Sequence, residues 1–251
     1  VETERLYKSP REQAVTRQAA AMGDNALDAA RAAMAPGMRE TEIEAVMTAS
    51  LMEQGCNYPA IHTMIGSGVR SGTHHSAPTH RRVKEGDLVS IDFCPALHRY
   101  HVNTCRTFSI GKADDRWIEV MEKAAGSIDA ILENLKVGDP LPRVDEIAHA
   151  HIDKVGLKDK AWWIGGYPLG ISFPPDWTGA YWNHWEEETF GPTAEKITVQ
   201  PGLVFNYENQ FDVWEDWPGG TGCNFIETFI VTEDGPELLS RLPRTIVSNG
   251  D

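Results

Sequence analysis

Residues 91–108, IDFCPALHRYHVNTCRTF, read as two sheet strands joined by a short connection. Side chains alternate along a strand, so the facing sets follow from the order alone. Asp92 shares a face with Leu88 and Ser90, and Asn103 shares one with Cys105 and Thr107. A metal centre built on such strands would place a second carboxylate where Asn103 stands. Two further strands carry acids among apolar residues: Glu208 shares a face with Val204 and Asn206, and Glu227 with Phe225, Phe229 and Val231. An unpaired carboxylate inside a sheet is costly. Each of these acids must therefore reach solvent, pair with an arginine such as Arg106, or serve a site.

Outward from these strands the chain is punctuated by helix signals. Ser9-Pro10-Arg11-Glu12 is a capping box with proline at the first helical position, opening a helix that stops at Pro36-Gly37. Thr41 and Glu44 suggest a second box, and Ile43, Val46, Met47, Ser50 and Leu51 follow helical spacing up to Gly55. Extended segments are expected near 60–67, 87–94 and 100–110. Two more helices follow, at about 114–135 and 144–155, and strands resume near 196–200, 202–208 and 224–232. Gly37 to Gly55 and Gly138 to Gly156 are both separations of 18 residues. Ile43, Val46 and Leu51 correspond to Val144, Ile147 and Ile152. This spacing implies an internal duplication of two helix-pair-plus-strands halves whose sheets share one core. The segment 161–192, AWWIGGYPLGISFPPDWTGAYWNHWEEETFGP, holds five of the eight tryptophans and reads as a large aromatic loop.

A chain of 251 residues with 41% hydrophobic and 24% charged content buries a sizeable core. Its 23 basic and 37 acidic residues give a net charge of −14, which disfavours nucleic acid and anionic membranes as partners. Cys56, Cys94, Cys105 and Cys223 have neither zinc-finger spacing nor secreted-scaffold density, so reduced thiols in a cytoplasmic protein are expected. No apolar run reaches membrane-spanning length. The loop SGTHHSAPTHRRVKEGD, residues 71–87, brings His74, His75 and His80 toward the mouth of the Asp92 strand. A histidine there is either solvated or a proton carrier.

The ordered set KSPREQAVTRQAA, HHSAPTHRRVKEGDLVSIDF, CRTFSIG and VTEDGPELL, spread over residues 8–243, resembles the pita-bread family of methionine aminopeptidase, prolidase, aminopeptidase P and creatinase. The resemblance implies an α+β pita-bread fold of two pseudo-repeated halves, with curved antiparallel sheets covered by helices. The family's peptidases hold two metal ions on two aspartates, one histidine and two glutamates. Position by position these become Asp92, Asn103, Tyr167, Glu208 and Glu227, the last sitting one residue nearer VTEDG than the peptidase pattern has it. A second histidine of the family becomes Pro174. Loss of a carboxylate and of the only imidazole leaves too few donors for two divalent ions. No metal or other cofactor is therefore expected.

The branches of the family that work without metal, creatinase and ectoine hydrolase, cleave C–N bonds at guanidinium or amidinium carbons. The segments SFPPDW and IETFIVTEDGP are more similar to ectoine hydrolase. On this resemblance His75, three residues before Pro78, is the proton carrier, with His74 as its fallback. Glu208 and Glu227 orient the substrate's N–H groups, and Asp92, Asn103, Tyr167, Phe173, Asp176 and Trp177 complete the pocket. The substrate is expected to be a small zwitterion. A divergent Xaa-Pro peptidase and a degenerate binding module are the alternatives. The resemblance also implies a homodimer. Residues 1–251 are read as a single catalytic-type domain, lacking the N-terminal domain of creatinase-like enzymes, so that a missing domain or partner chain would complete the site.

Overall fold

The computed structural model describes residues 2–73, 75–171, 196–211 and 221–250. After a short helix α1 (Glu2–Leu6), two helix pairs frame the molecule: α2 (Pro10–Ala33) with α3 (Glu40–Glu53), and α4 (Asp115–Asn134) with α5 (Arg143–Lys154). The strands are β1 (Met64–Ser67), β2 (Leu88–Phe93), β3 (Ala96–Leu97), β4 (Tyr100–His101), β5 (Thr104–Ser109), β6 (Trp163–Pro168), β7 (Val204–Phe211), β8 (Cys223–Thr232), β9 (Gly235–Leu238) and β10 (Val247–Ser248). The main sheet runs β1-β2-β5-β8-β7-β6, with β10 added parallel beside β5 and β9 antiparallel beside β8. The expected pair of sheets is thus one sheet. The two halves meet at the β5–β8 seam, and their strand orders mirror each other outward from it.

The duplication extends to individual backbone bonds. The Gly37 N–H donates to Val83 O and the Val83 N–H to Met38 O. Likewise Gly138 donates to Val199 O, and Val199 to Asp139 O. Glu40 donates to Arg81 O as Leu141 donates to Ile197 O. Both Gly37 and Gly138 sit in the left-handed region, at φ of 92° and 100°, where a side chain is strained.

Each helix pair covers one half of the same sheet face. Leu27, Ile43 and Met47 close on Ile65, Val89, Ile91 and Phe108. Met121, Ile128, Val144 and Ile152 close on Phe205, Tyr207, Phe225 and Phe229. Full burial of each such side chain contributes about 1.5–3 kcal/mol. Phe205 and Phe229, cross-strand partners, stack with ring centroids 4.9 Å apart.

Four local expectations are corrected. The helix α3 opens at Arg39, not Thr41: the Arg39 N–H donates to Glu42 Oε2 at 2.7 Å, while the next two N–H groups donate to Arg81 O and Thr79 O. Tertiary partners take the place of a threonine cap. Residues 196–200 form no sheet strand but bridge to 138–141 through Pro140 and Thr198. The connection within 91–108 contains its own small hairpin, β3–β4, turned by His98 and Arg99 at φ of 49° and 69°, the signature of a type I′ turn. Finally, Trp163–Pro168, expected within a loop, is the edge strand β6.

Candidate functional site

Cross-strand partners present their side chains on the same face, so the ladder defines a row through the sheet. Asp92 pairs with Cys105, Cys105 with Ile226, Ile226 with Glu208, and Glu208 with Gly165. This row lies on the face turned away from the helix pairs, since Ile91 and Tyr207, the chain neighbours of Asp92 and Glu208, are packed under the helices. Gly165 supplies no side chain beside Glu208, which leaves that carboxylate room. A glycine within a strand commonly marks such a close approach.

Glu208 is held from several sides. Its Oε1 accepts from Asn206 Nδ2 at 2.9 Å and from Asn103 Nδ2 at 3.4 Å, and its Oε2 accepts from Gln210 Nε2 at 2.6 Å. Asn103 also donates to the Tyr167 hydroxyl at 2.8 Å, and that hydroxyl donates to Glu208. Burial still wins over these bonds and pushes the Glu208 carboxyl up to about 6. Asp92 is pushed well above the usual carboxylate range, first by burial and then by the nearby Glu208 charge. Among the described residues its Oδ1 is sealed from solvent with no hydrogen-bond partner. The Tyr167 phenol and the Cys94 and Cys105 thiols are also driven up by burial, so they stay protonated.

This electrostatic balance predicts a pH signature. The folded state holds the Glu208 proton more tightly than the unfolded chain does, so its contribution is intact below 4.5 and is lost as pH rises through about 6. Glu208→Gln escapes that loss. Its stability relative to the parent should rise by about 1.5 kcal/mol between pH 4.5 and 6.5, read from urea midpoints. A difference independent of pH would contradict the buried, neutral-leaning carboxyl.

His75 is exposed, and its backbone lies in the left-handed region at φ of 55°, uncommon for a residue with a side chain. It lines a cavity of about 10 Å³ with Asp92, Ser90, Gln210 and Asn224, space for roughly one water. Gly66 in β1 borders this cavity because the following loop folds back on it: a Cβ there would lie 2.3 Å from Arg70 O.

The structure brings Asp92, Asn103, Tyr167 and Glu208 together and sets His75 at the rim beside Asp92. It does not bring Glu227 to them. Glu227 pairs with Tyr207 across the β7–β8 ladder and so points under the helices. There its Oε1 accepts from Arg106 Nη2 at 2.6 Å, with both side chains almost wholly buried. Arg106 also donates to Ser240 Oγ and to the Ile226 and Leu242 carbonyls. Burial nonetheless lifts the Glu227 carboxyl to about 7. The place in the row is taken by Ile226. Glu227, one residue along the strand, lies on the other face. Phe173, Asp176 and Trp177, with His74, lie outside the described residues.

The sequence reading named Asn103 for the pocket and placed Asn206 on the Glu208 face, but it passed over Gln210 and Asn224. Asn206, Glu208 and Gln210 alternate along β7, and Asn224 faces Gln210 across the ladder. Asn224 Oδ1 accepts from Ser90 Oγ at 2.6 Å and Thr107 Oγ1 at 3.0 Å. The polar residues at 206, 208 and 210, two apart along one strand, were the signal that could have found Gln210.

A two-ion centre needs several anionic or imidazole donors converging on one space. Here two carboxylates of the described residues face the site, and the remaining positions of the row and its neighbours are Cys105, kept a thiol by burial, Ile226, Gly165, an amide and a protonated phenol, with His75 at the rim. Among the described residues no group of three or more His, Cys, Asp or Glu side chains is arranged to hold a metal ion. The described residues do not fit a paired metal centre.

A curled antiparallel sheet backed by two duplicated helix pairs, with acids on the face away from them, defines the pita-bread class of proteins. More narrowly, the chain belongs to metallopeptidase family M24, whose model matches residues 14–233. It is similar to a Xaa-Pro dipeptidase of Pyrococcus furiosus, 26% identical over 245 residues, covering 97% of this chain and 65% of the relative. It is also similar to an ectoine hydrolase of Halomonas elongata, 29% identical over 194 residues, covering 76% of this chain and 45% of that protein. The chain thus spans less than two thirds of the length of either relative. Among solved structures, the prolidase of Pyrococcus furiosus superposes with a TM-score of 0.80 at 23% identity, covering 96% of this chain and 67% of the other. Dipeptidase PepE of Mycobacterium ulcerans gives 0.82 at 20%, covering 98% and 62%. At these identities the structures speak to the fold alone.

Proposed function

We propose that this chain is the catalytic part of a hydrolase that cleaves a C–N bond of a small cationic or zwitterionic amidine or guanidino compound without a paired metal centre. The observation that carries this reading is the row Asp92–Cys105–Ile226–Glu208, which keeps two acids where a two-ion centre would need a fuller donor set. The likeness to the Halomonas ectoine hydrolase supports it.

An amidinium carbon is already electrophilic and needs no Lewis acid. Glu208, fixed by Tyr167, Asn206 and Gln210, supplies a preorganised acceptor for the substrate's N–H groups, with Asp92 as the second. His75 takes a proton from the attacking water as the new C–O bond forms. It then returns that proton to the departing nitrogen as the C–N bond breaks, leaving an amide or urea and an amine. Glu227 has no part in these steps.

A second reading, a divergent Xaa-Pro dipeptidase, draws on the Pyrococcus relative, which aligns over nearly the whole chain. Hydrolysis of ectoine, hydroxyectoine, creatine and a Xaa-Pro dipeptide, with and without EDTA, separates the two. Turnover of an amidine or guanidino substrate unchanged by EDTA is expected. Dipeptide cleavage that EDTA abolishes and Mn²⁺ restores would overturn the proposal.

A further inference from the structure

We infer that Glu40 is the positioning residue for His75, clamping both ends of the loop that carries the imidazole; this rests on the proton-carrier role proposed above. Glu40 stands in the first turn of α3, and its side chain is 0% exposed. Its Oε1 accepts from the Ser67 N–H at 3.0 Å and the Ser67 hydroxyl at 2.6 Å, at the end of β1 where the loop leaves the sheet. Its Oε2 accepts from the Thr79 N–H at 2.9 Å and the Thr79 hydroxyl at 2.6 Å, where the loop returns. Arg70, within the loop, pairs with the same oxygen and donates to Ala77 O at 3.0 Å across it. One buried carboxylate therefore ties residues 67, 70 and 79 together, with His75 between them.

The duplication provides the comparison. The N–H groups of Glu40 and Leu141 donate to matching carbonyls, Arg81 O and Ile197 O, so Leu141 is the counterpart of Glu40 in the second half. Leu141 is just as buried. The fold is satisfied by an apolar side chain at this position. The carboxylate answers to the loop of the first half, a polar segment whose backbone N–H and hydroxyl groups need acceptors and whose histidine sits at an unfavourable φ of 55°. Such a backbone conformation persists only where its surroundings fix it. Ser71 Oγ, 3.0 Å from both the N–H and the carbonyl of Gly222, and Ser76 O, accepting from the Ile65 N–H, complete the fixation.

The test pairs hydrogen–deuterium exchange with kinetics on Glu40→Gln, His75→Ala and the double variant, using whichever of ectoine, hydroxyectoine or creatine is turned over. Glu40→Gln should speed exchange at residues 68–79 about tenfold or more while β2 and β5 keep parental protection. It should lower kcat about tenfold or more with KM within about twofold, and this loss should vanish in the His75→Ala background. Unchanged exchange in the loop overturns the clamp. A kcat loss of the same size without His75 shows a general structural effect and overturns the positioning role. Full activity of His75→Ala alone strikes at the proposed mechanism instead, leaving the exchange result to judge the clamp by itself. Should Glu40→Gln not fold, Thr79→Val removes one bond of the clamp and takes its place, with the same signs expected.

Discussion

Arg106→Met should destabilise the fold by about 3–5 kcal/mol at neutral pH, the usual cost of stranding one partner of a buried ion pair. The stranded group is Glu227, fully buried under the helices, with Oε2 lacking a hydrogen-bond partner among the described residues. Burial already lifts its carboxyl to about 7 with the guanidinium beside it. Without Arg106 it must take a proton at neutral pH or remain an uncompensated charge. The cost should therefore shrink as the solution is made acidic. The double variant Arg106→Met, Glu227→Leu should recover most of the loss, because apolar side chains of similar bulk replace a buried pair at little cost. Urea unfolding at pH 5 and pH 8 measures both effects. A single-variant loss below about 1 kcal/mol, or a double variant no better than the single, would show that the pair is not a coupled buried unit.

His75→Ala should lower kcat by about 10²–10⁴-fold, the range typical of a lost general acid–base group, while leaving substrate affinity largely intact. On the proposed mechanism the carboxylates that hold the substrate are Asp92 and Glu208, and Glu208 is held by bonds that do not involve the imidazole. Glu208 is fixed by Asn206, Gln210 and Tyr167 from its own and the adjoining strand. Added imidazole should restore part of the rate, since the rim where His75 stands is open to solvent. Retention of parental kcat, or a loss confined to KM, would remove His75 from proton transfer.

The helices were legible because Ile43, Val46 and Leu51, and their counterparts Val144, Ile147 and Ile152, carry both the period and the repeat. Asp92 and Glu208 were legible because acids among apolar strand residues need a reason. Glu227 was misjudged for an instructive reason. Its face was read correctly as the face of Phe225 and Phe229, but alternation does not say which face of a sheet the helices cover. Only the cross-strand register, with Glu208 opposite Ile226, assigns the two acids to different sides. The strand Trp163–Pro168 was hidden by Gly165 and Gly166, which locally signal a turn, whereas Gly165 in fact stands opposite Glu208. The early start of α3 was hidden because its first N–H groups are satisfied by residues 79 and 81, some forty positions away.

Ile226, fully buried between Cys105 and Glu208, has a bearing on what this cleft selects. A greasy side chain in the middle of an acidic pair withholds solvation from both acids, and burial raises both carboxyls above their ordinary range. On the proposed reading, such a cleft suits one delocalised positive charge better than the concentrated charge of a divalent ion.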